Sequence, residues 1–301
     1  MRLQIILLLI TTLYACQKSN AALDPRDNSA NSSIESDTLK HENLIPKLDM
    51  AINETSGLAK IGNAYWTNND SGDEAKLYQF DISNGKVIKT VKLNGVKNRD
   101  WEELTTDERY MYVGEFGNNT GGRDDLKIFK VELDQLQNES NADVKTISFK
   151  YPDQEKFYSG YNHNFDCEAM VSSGDSLFLF SKNWLDRKCK LYSLSKSTKE
   201  QTANLISEFD SGGTITAASL DENKKVLYLL GYNGIGLYKS FIWVITDWTG
   251  TDFFSGSKKK YDLTIDRQTE GILVDSDGSL LISAEQNRGG YPSLFRVKVE
   301  E

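Results

Sequence analysis

Three stretches of the chain set carboxylates at the threshold of an apolar run: "NRDWEEL" (98–104), "NFDCEAM" (164–170) and "DRQTEGI" (266–272). Glu102, Glu168 and Glu270 take the same place in each, and Asp100 and Asp166 stand two residues before the first two. Acids placed this way serve one of three ends. They can accept backbone N–H bonds at strand starts, since buried polar groups must be paired. They can hold a hard cation such as Ca²⁺, which takes several oxygen ligands, and Glu102, Asp166, Glu168, Glu270 and Glu285 are the candidates to supply them. Or they can do acid–base chemistry, one carboxyl kept neutral by its neighbours while another ionises. The catalytic candidates are then Glu102, Glu168 and Glu270, with His163 as imidazole base. Position alone does not separate the last two. The chain has only two His, which leaves little material for a His-rich zinc site or a Ser-His-Asp triad.

The elements that must position these acids emerge from internal repeats. An apolar–aromatic–polar–apolar signature recurs as Leu77-Tyr78-Gln79-Phe80, Ile128-Phe129-Lys130-Val131, Leu191-Tyr192-Ser193-Leu194, Ile242-Trp243-Val244-Ile245 and Leu294-Phe295-Arg296-Val297. Upstream of each lie two more β-rich runs, with Gly, Asn and Asp marking the turns. The earliest runs align Ser56, Glu102, Glu168, Ala218 and Glu270 in one column, at spacings of 46, 66, 50 and 52. Those periods suit four-stranded blades, so the fold expected is an all-β propeller of five blades, with six as the alternative. The fifth unit ends without a fourth strand. The run "LIPKLDMA" (44–51) can supply it, so that the N-terminal strand closes the ring and removes free edges.

A blade's first strand lines the channel and its second returns antiparallel, so starts of the one and ends of the other meet at a single mouth. Second-strand ends and their loops add Asp70, Asn118, Lys182, Asn183, Tyr232 and Glu285, with Arg123 and Arg288 slightly further along. These are the ligand-binding candidates. Lys182 reads as a charge-balancing partner for the acids. "GEFGNNTGGRDD" (114–125) opens no helix and reads as a long mobile loop over the mouth, where Arg123 could meet an anion. "NNDSGDEAKLY" (68–78) lacks calcium-loop spacing and reads as a hairpin turn. Trp66, Trp184 and Tyr232 suit either a rim for a sugar or peptide or the packing between blades.

The chain opens on "MRLQIILLLITTLYAC", a short apolar run that suits an export signal and is too short to span a bilayer. Leu13-Tyr14-Ala15-Cys16 resembles a lipobox, which implies cleavage after residue 15 and lipidation of Cys16. Residues 16–43 then read as a lipidated Cys on a flexible tether, and 44–301 as the propeller. Gln17 and the lack of an acidic run after it resemble outer-membrane lipoproteins facing the periplasm. The membrane would be touched only through the lipid, by a monomer. A formal charge of −9 opposes nucleic-acid binding. Cys167 and Cys189 fall on non-adjacent strands of one sheet, which disfavours a disulfide.

"ETSGLAKIGNAYWTNNDSG", "NRDWEEL", "VGEFGNN", "YPDQ", "FDCEAM" and "QTEGILV" resemble the "SSGL…WxxNDSG…DWEDI…GDIGDN…YPDG…DAEAL…GEAI" series of exported bacterial β-propellers, over nearly the whole of 44–301. That series is distantly similar to phytase-like, esterase-like, gluconolactonase-type and NHL-type rings. In some of these, mouth carboxylates hold calcium or another divalent cation that polarises a substrate. The chain departs from the series at Asn119 and at Ala218, where acids are expected, and it shows no basic cluster for phytate. Two functions follow: an anchored propeller binding a small molecule, glycan or protein at an acidic mouth, or a Ca²⁺-dependent hydrolase of phosphoester or lactone type.

Overall fold

A computed structural model describes residues 37–157, 160–234, 238–286 and 290–299. Cys16, the signal and most of the tether lie outside the described residues, as does Arg288. The strands form five sheets, each a blade that begins at the channel. The innermost strands are Thr55–Ile61, Trp101–Thr106, Asp166–Ser173, Thr214–Asp221 and Thr269–Val274, and each lies against the next around a closed ring. Each pairs antiparallel with a second strand: Ala64–Asn69, Tyr110–Glu115, Ser176–Lys182, Val226–Asn233 and Leu280–Ala284. The fold is the five-bladed propeller expected from the repeats, without a sixth blade among the described residues.

The apolar runs alternate because both faces of every blade are buried. Met111 and Val113 pack toward the first blade, while Tyr112 between them packs toward the third. Each of the five blade junctions holds its own apolar cluster, in line with the two-period of a strand. Closure of the ring comes slightly earlier in the chain than expected. His41–Ile45, rather than 44–51, pairs with Ser293–Val297 as the fourth strand of the last blade. Asp37–Leu39 adds an edge to the fourth blade. Asn141–Ala142 and Gln201–Thr202 likewise reach back to the outer strands of the first and second blades, covering edges that would otherwise stay open.

Every innermost strand carries a β-bulge near its start, between Thr55 and Leu58, Trp101 and Glu103, Cys167 and Ala169, Ile215 and Ala217, and Thr269 and Gly271. An extra residue in a strand re-aims its side chain. In four of the blades that residue is Glu102, Glu168, Thr216 or Glu270, and in the first blade Ser56 and Gly57 lie within the shift. The alignment column is therefore corrected in the fourth blade: Thr216, not Ala218, holds the place of the acids. The residues that follow the bulge are small, Gly57, Ala169, Ala217 and Gly271, except for Glu103. A Cβ on Gly57 would stand 2.3 Å from Leu104 N, so the strands approach too closely for a side chain there.

Glu103 fills the space these small residues leave. It is fully buried, and its carboxyl accepts Leu104 N–H at 2.9 Å and Ala218 N–H at 3.0 Å. Backbone N–H groups of Met170 and Leu58 reach it as well, so one side chain ties together strands of four blades. Burial raises its pKa well above the usual range against the pull of those amides. Glu103→Ala should leave buried amides unpaired and cost about 3 kcal/mol or more. That corresponds to a fall of roughly 10 °C in Tm. Glu103→Gln should lose less, and equal Tm values for all three proteins would refute the role.

Candidate functional site

The bulges turn Glu102, Glu168 and Glu270 into the channel mouth, where they are only 3%, 4% and 4% exposed. Lys182, at the end of the third blade's second strand, is 4% exposed, and its ammonium donates to Glu168 Oε1. Tyr232 donates its hydroxyl to Glu270 Oε1 at 3.4 Å, and Gln268 also hydrogen-bonds Glu270. Asp70 is fixed through its backbone: its N–H donates to Glu54 O at 2.9 Å and its carbonyl accepts Trp101 N–H at 2.8 Å. Glu285 is anchored by its N–H to Gln268 O at 3.1 Å. On the side of the first and second blades, one carboxyl oxygen each of Asp70, Asp100 and Glu102 lie within 4.8 Å of one another. The structure thus gathers Asp70, Asp100, Glu102, Glu168, Glu270 and Glu285 at one mouth, with Lys182 beside Glu168 and Glu270.

That imbalance sets the electrostatics. Burial, reinforced by Asp100 and Glu270, pushes the Asp70 carboxyl up to about 8. Burial and Asp166 push Asp100 up to about 6, although Arg123 and a hydrogen bond to Asp70 pull the other way. Glu102 is raised well above its usual range by burial and then by Asp70, Glu168 and Asp100. Burial likewise raises Glu270 against Lys182, and raises Glu285 with the help of Glu270 and Asp70. Burial alone would lower Lys182; Glu168, Tyr232 and Glu270 more than offset it, so the ammonium keeps its proton. Glu168 facing it is the natural holder of a negative charge in that pair, and proximity to Lys182 opposes the rise that burial imposes.

Not every mouth oxygen is engaged. Asp70 Oδ1, Glu102 Oε1 and Glu168 Oε2 are buried without a hydrogen-bond partner. A buried acceptor in that state is costly, so such atoms mark a place for a ligand, ion or water. Gly117 packs directly on this pair: a Cβ there would stand 2.1 Å from Glu102 Oε1 and 2.5 Å from Asp100 Oδ2, so the backbone's close approach requires glycine.

Other candidates serve the scaffold. Asp166 accepts Asn118 N–H at 2.7 Å, Cys167 N–H at 3.0 Å and Trp184 Nε1–H at 2.8 Å, so both its oxygens are engaged away from the trio. Asn118 also donates to Phe165 O and accepts Arg123 N–H. Arg123 is buried, donating to Glu115 Oε1 at 2.6 Å, Gly117 O at 2.7 Å and Asp125 Oδ1 at 3.1 Å, and is not presented to an anion. His163 has both ring nitrogens on backbone, Nδ1 accepting Phe165 N–H and Nε2 meeting Asn119 O, which leaves neither for a proton transfer. Asn183 turns to Ser181 and Asp186. These bonds, with Gln154 on Gly121 O, pin the segment that reads as a mobile loop in sequence. Trp66 is buried at a blade junction, and Tyr232 is buried within the mouth. Cys167 and Cys189 are buried free thiols.

Asp100, which the sequence sets two residues before Glu102 at a strand start, joins the trio. Behind the mouth, at the far end of the channel, a cavity of about 540 Å³ is lined by Leu58, Leu104, Ala218 and Leu273 with Thr105 and Ser219. None of the mouth acids reaches it.

The chain matches no protein-family model and no curated protein in sequence. Among solved structures it is similar to an exo-β-1,3-galactanase from Phanerochaete chrysosporium. With β-1,3-galactotriose, that structure aligns at a TM-score of 0.53 and 10% identity, over 84% of this chain and 62% of the other. With galactose it aligns at 0.51 and 11% identity, over the same shares. A glucose dehydrogenase aligns at 0.49 and 10% identity, over 84% of this chain and 99% of that one. The present chain therefore spans under two thirds of the galactanase's length. The likeness is one of fold.

The raised carboxyls fix the sign of a pH effect. Folded-state values above the unfolded ones mean stability that is full below the ordinary carboxylate range and lost as pH rises through about 6 for Asp100 and about 8 for Asp70. Groups held low, such as Asp107 at about 2, act only at more acid pH. In metal-free buffer Tm should therefore fall as pH climbs from about 5 to about 8, and Asp70→Asn should flatten the slope. A Tm that rises over that window would contradict this.

Proposed function

We propose that the protein is a lipid-anchored envelope propeller that binds a polar ligand at its acidic mouth, with a divalent cation, Ca²⁺, held by Asp70, Asp100 and Glu102. The observation that carries this is Glu102 Oε1: a buried carboxyl oxygen without a partner, on a side chain that converges with two more carboxyls. An all-oxygen donor set fits a hard cation. The ion would offset the surplus negative charge and polarise an oxygen of the ligand. The chain's own residues form the opposite wall, where Lys182 orients Glu168 while Tyr232 and Gln268 orient Glu270.

The anchor reading draws on Leu13-Tyr14-Ala15-Cys16 and the polar stretch behind it. Asp37–Leu39 runs parallel to Ser257–Leu263, so Asp37 lies toward the face opposite the mouth.

A second reading, a Ca²⁺-dependent hydrolase, is favoured by one observation: two acids outside the cation's set share the mouth, Glu168, whose ionised form Lys182 favours, and Glu270, whose neutral form burial favours. With Arg123 committed to Glu115, a lactone suits this mouth better than a phosphoester.

Calorimetric titration of the detergent-solubilised full chain should show one Ca²⁺ per chain, with Kd between about 10⁻⁵ and 10⁻³ M. At calcium 100-fold above Kd the fold should gain ~2.7 kcal/mol. Glu102→Gln and Gly117→Ala should each abolish the binding isotherm; binding unchanged in both would remove the site. Hydrolysis of a chromogenic lactone panel, lost in Asp100→Asn, would decide for the enzyme. Separately, cells fed an alkyne fatty acid should label the protein, and Cys16→Ser should not be labelled; equal labelling would end the anchor reading.

A further inference from the structure

We infer that the ligand of this mouth is a neutral saccharide, its hydroxyls on the mouth carboxyls and its sugar faces on two aromatic platforms at the rim. The inference rests on the reading of the mouth as a ligand site and names the class of ligand.

The first platform is Tyr161 on Trp184. Tyr161 is 63% exposed and meets the indole edge-on with centroids 5.3 Å apart. Trp184 is fixed beside the mouth by its Nε1–H bond to Asp166 at 2.8 Å, with Lys182 Nζ 5.1 Å from its ring. The second platform is Tyr291, 44% exposed, on the fifth blade. Arg267 donates to both Tyr291 O at 2.7 Å and Glu285 O at 2.8 Å, which ties the backbone of Tyr291 to that of a mouth residue. Exposed aromatic rings at the edge of a polar hole offer flat apolar surface to the C–H faces of sugar rings, while carboxyl oxygens accept their hydroxyls.

Charge discriminates among polar ligands. The two cations nearest the acids are engaged, Lys182 by Glu168 and Arg123 by Glu115, so a phosphate or carboxylate would meet mostly negative charge. A basic peptide would suit the acids but not the rim. Lys47 Nζ sits 3.9 Å over the Tyr291 ring and the Arg187 guanidinium 5.6 Å from the Trp184 ring, so each platform already carries a cation. A neutral ligand rich in hydroxyls meets neither objection, and Glu168 Oε2, outside the cation's set, is an acceptor without a partner.

The test uses the full chain in detergent with Ca²⁺ present, on an array of neutral hexose and pentose oligosaccharides. Tetra-arginine and inositol hexakisphosphate serve as calorimetric probes, and Ca²⁺ is titrated in the same preparation. Binding to neutral oligosaccharides is expected, weakened about tenfold by Tyr161→Ala and by Tyr291→Ala, with Ca²⁺ affinity unchanged in both variants. Ca²⁺ binding without any neutral glycan bound would overturn the ligand class while sparing the site. Glycan binding indifferent to both tyrosines, or tetra-arginine or inositol hexakisphosphate binding in place of glycans, would overturn it as well. Loss of Ca²⁺ binding in the unaltered chain would count against the metal reading instead.

Discussion

The structure depends on how closely five strands can approach one axis. Gly57 and Gly271 admit backbone contacts that a Cβ would forbid, and the space left by the small residues is taken up by the single side chain of Glu103. Once the strands are that close, a side chain just above Glu103 has nowhere to go but the channel. The bulges then decide which side chains those are. The crowding of acids at the mouth is thus a consequence of packing, and the surplus negative charge is what the fold must accommodate.

Part of that accommodation is internal. Lys182 pairs with Glu168, and Arg123 neutralises Glu115 while tying the 114–125 segment down. Asp166 is satisfied by two amides and an indole. What remains is lopsided: Asp70, Asp100 and Glu102 gather on one side, and the pull of Lys182 on Asp70 and of Arg123 on Asp100 does not reverse the rise that burial imposes. A cation is the simplest way to relieve that, since pairing buried charge matters far more than pairing surface charge. The mouth and the far cavity do not share a lining.

Much of this was legible in the sequence. The repeats carried blade count, strand order and the convergence of Glu102, Glu168 and Glu270, because two-period alternation and turn residues are local properties. The fourth-blade register is not legible: a slip of two residues leaves a strand's in–out alternation unchanged, so Ala218 fits the column of the acids as well as Thr216 does. Closure by His41–Ile45 was displaced for a similar reason, since pairing to a remote edge leaves little trace in composition. Arg123 and His163 looked like ligand or base because charge and imidazole are visible in a sequence, whereas their hydrogen-bond partners, several supplied by backbone, are not. Glu103 went unnoticed for the opposite reason: beside Glu102 it looks like one more acid, and only the small residues at equivalent places in other blades mark it as different.

The central claim is that three carboxyls at the junction of the first two blades hold a hard cation. A crystal structure grown in calcium addresses it directly. The account expects an ion bonded to oxygens of Asp70, Asp100 and Glu102 at about 2.3–2.6 Å. A mouth filled by water alone, with Glu102 Oε1 hydrogen-bonded to protein, would contradict it.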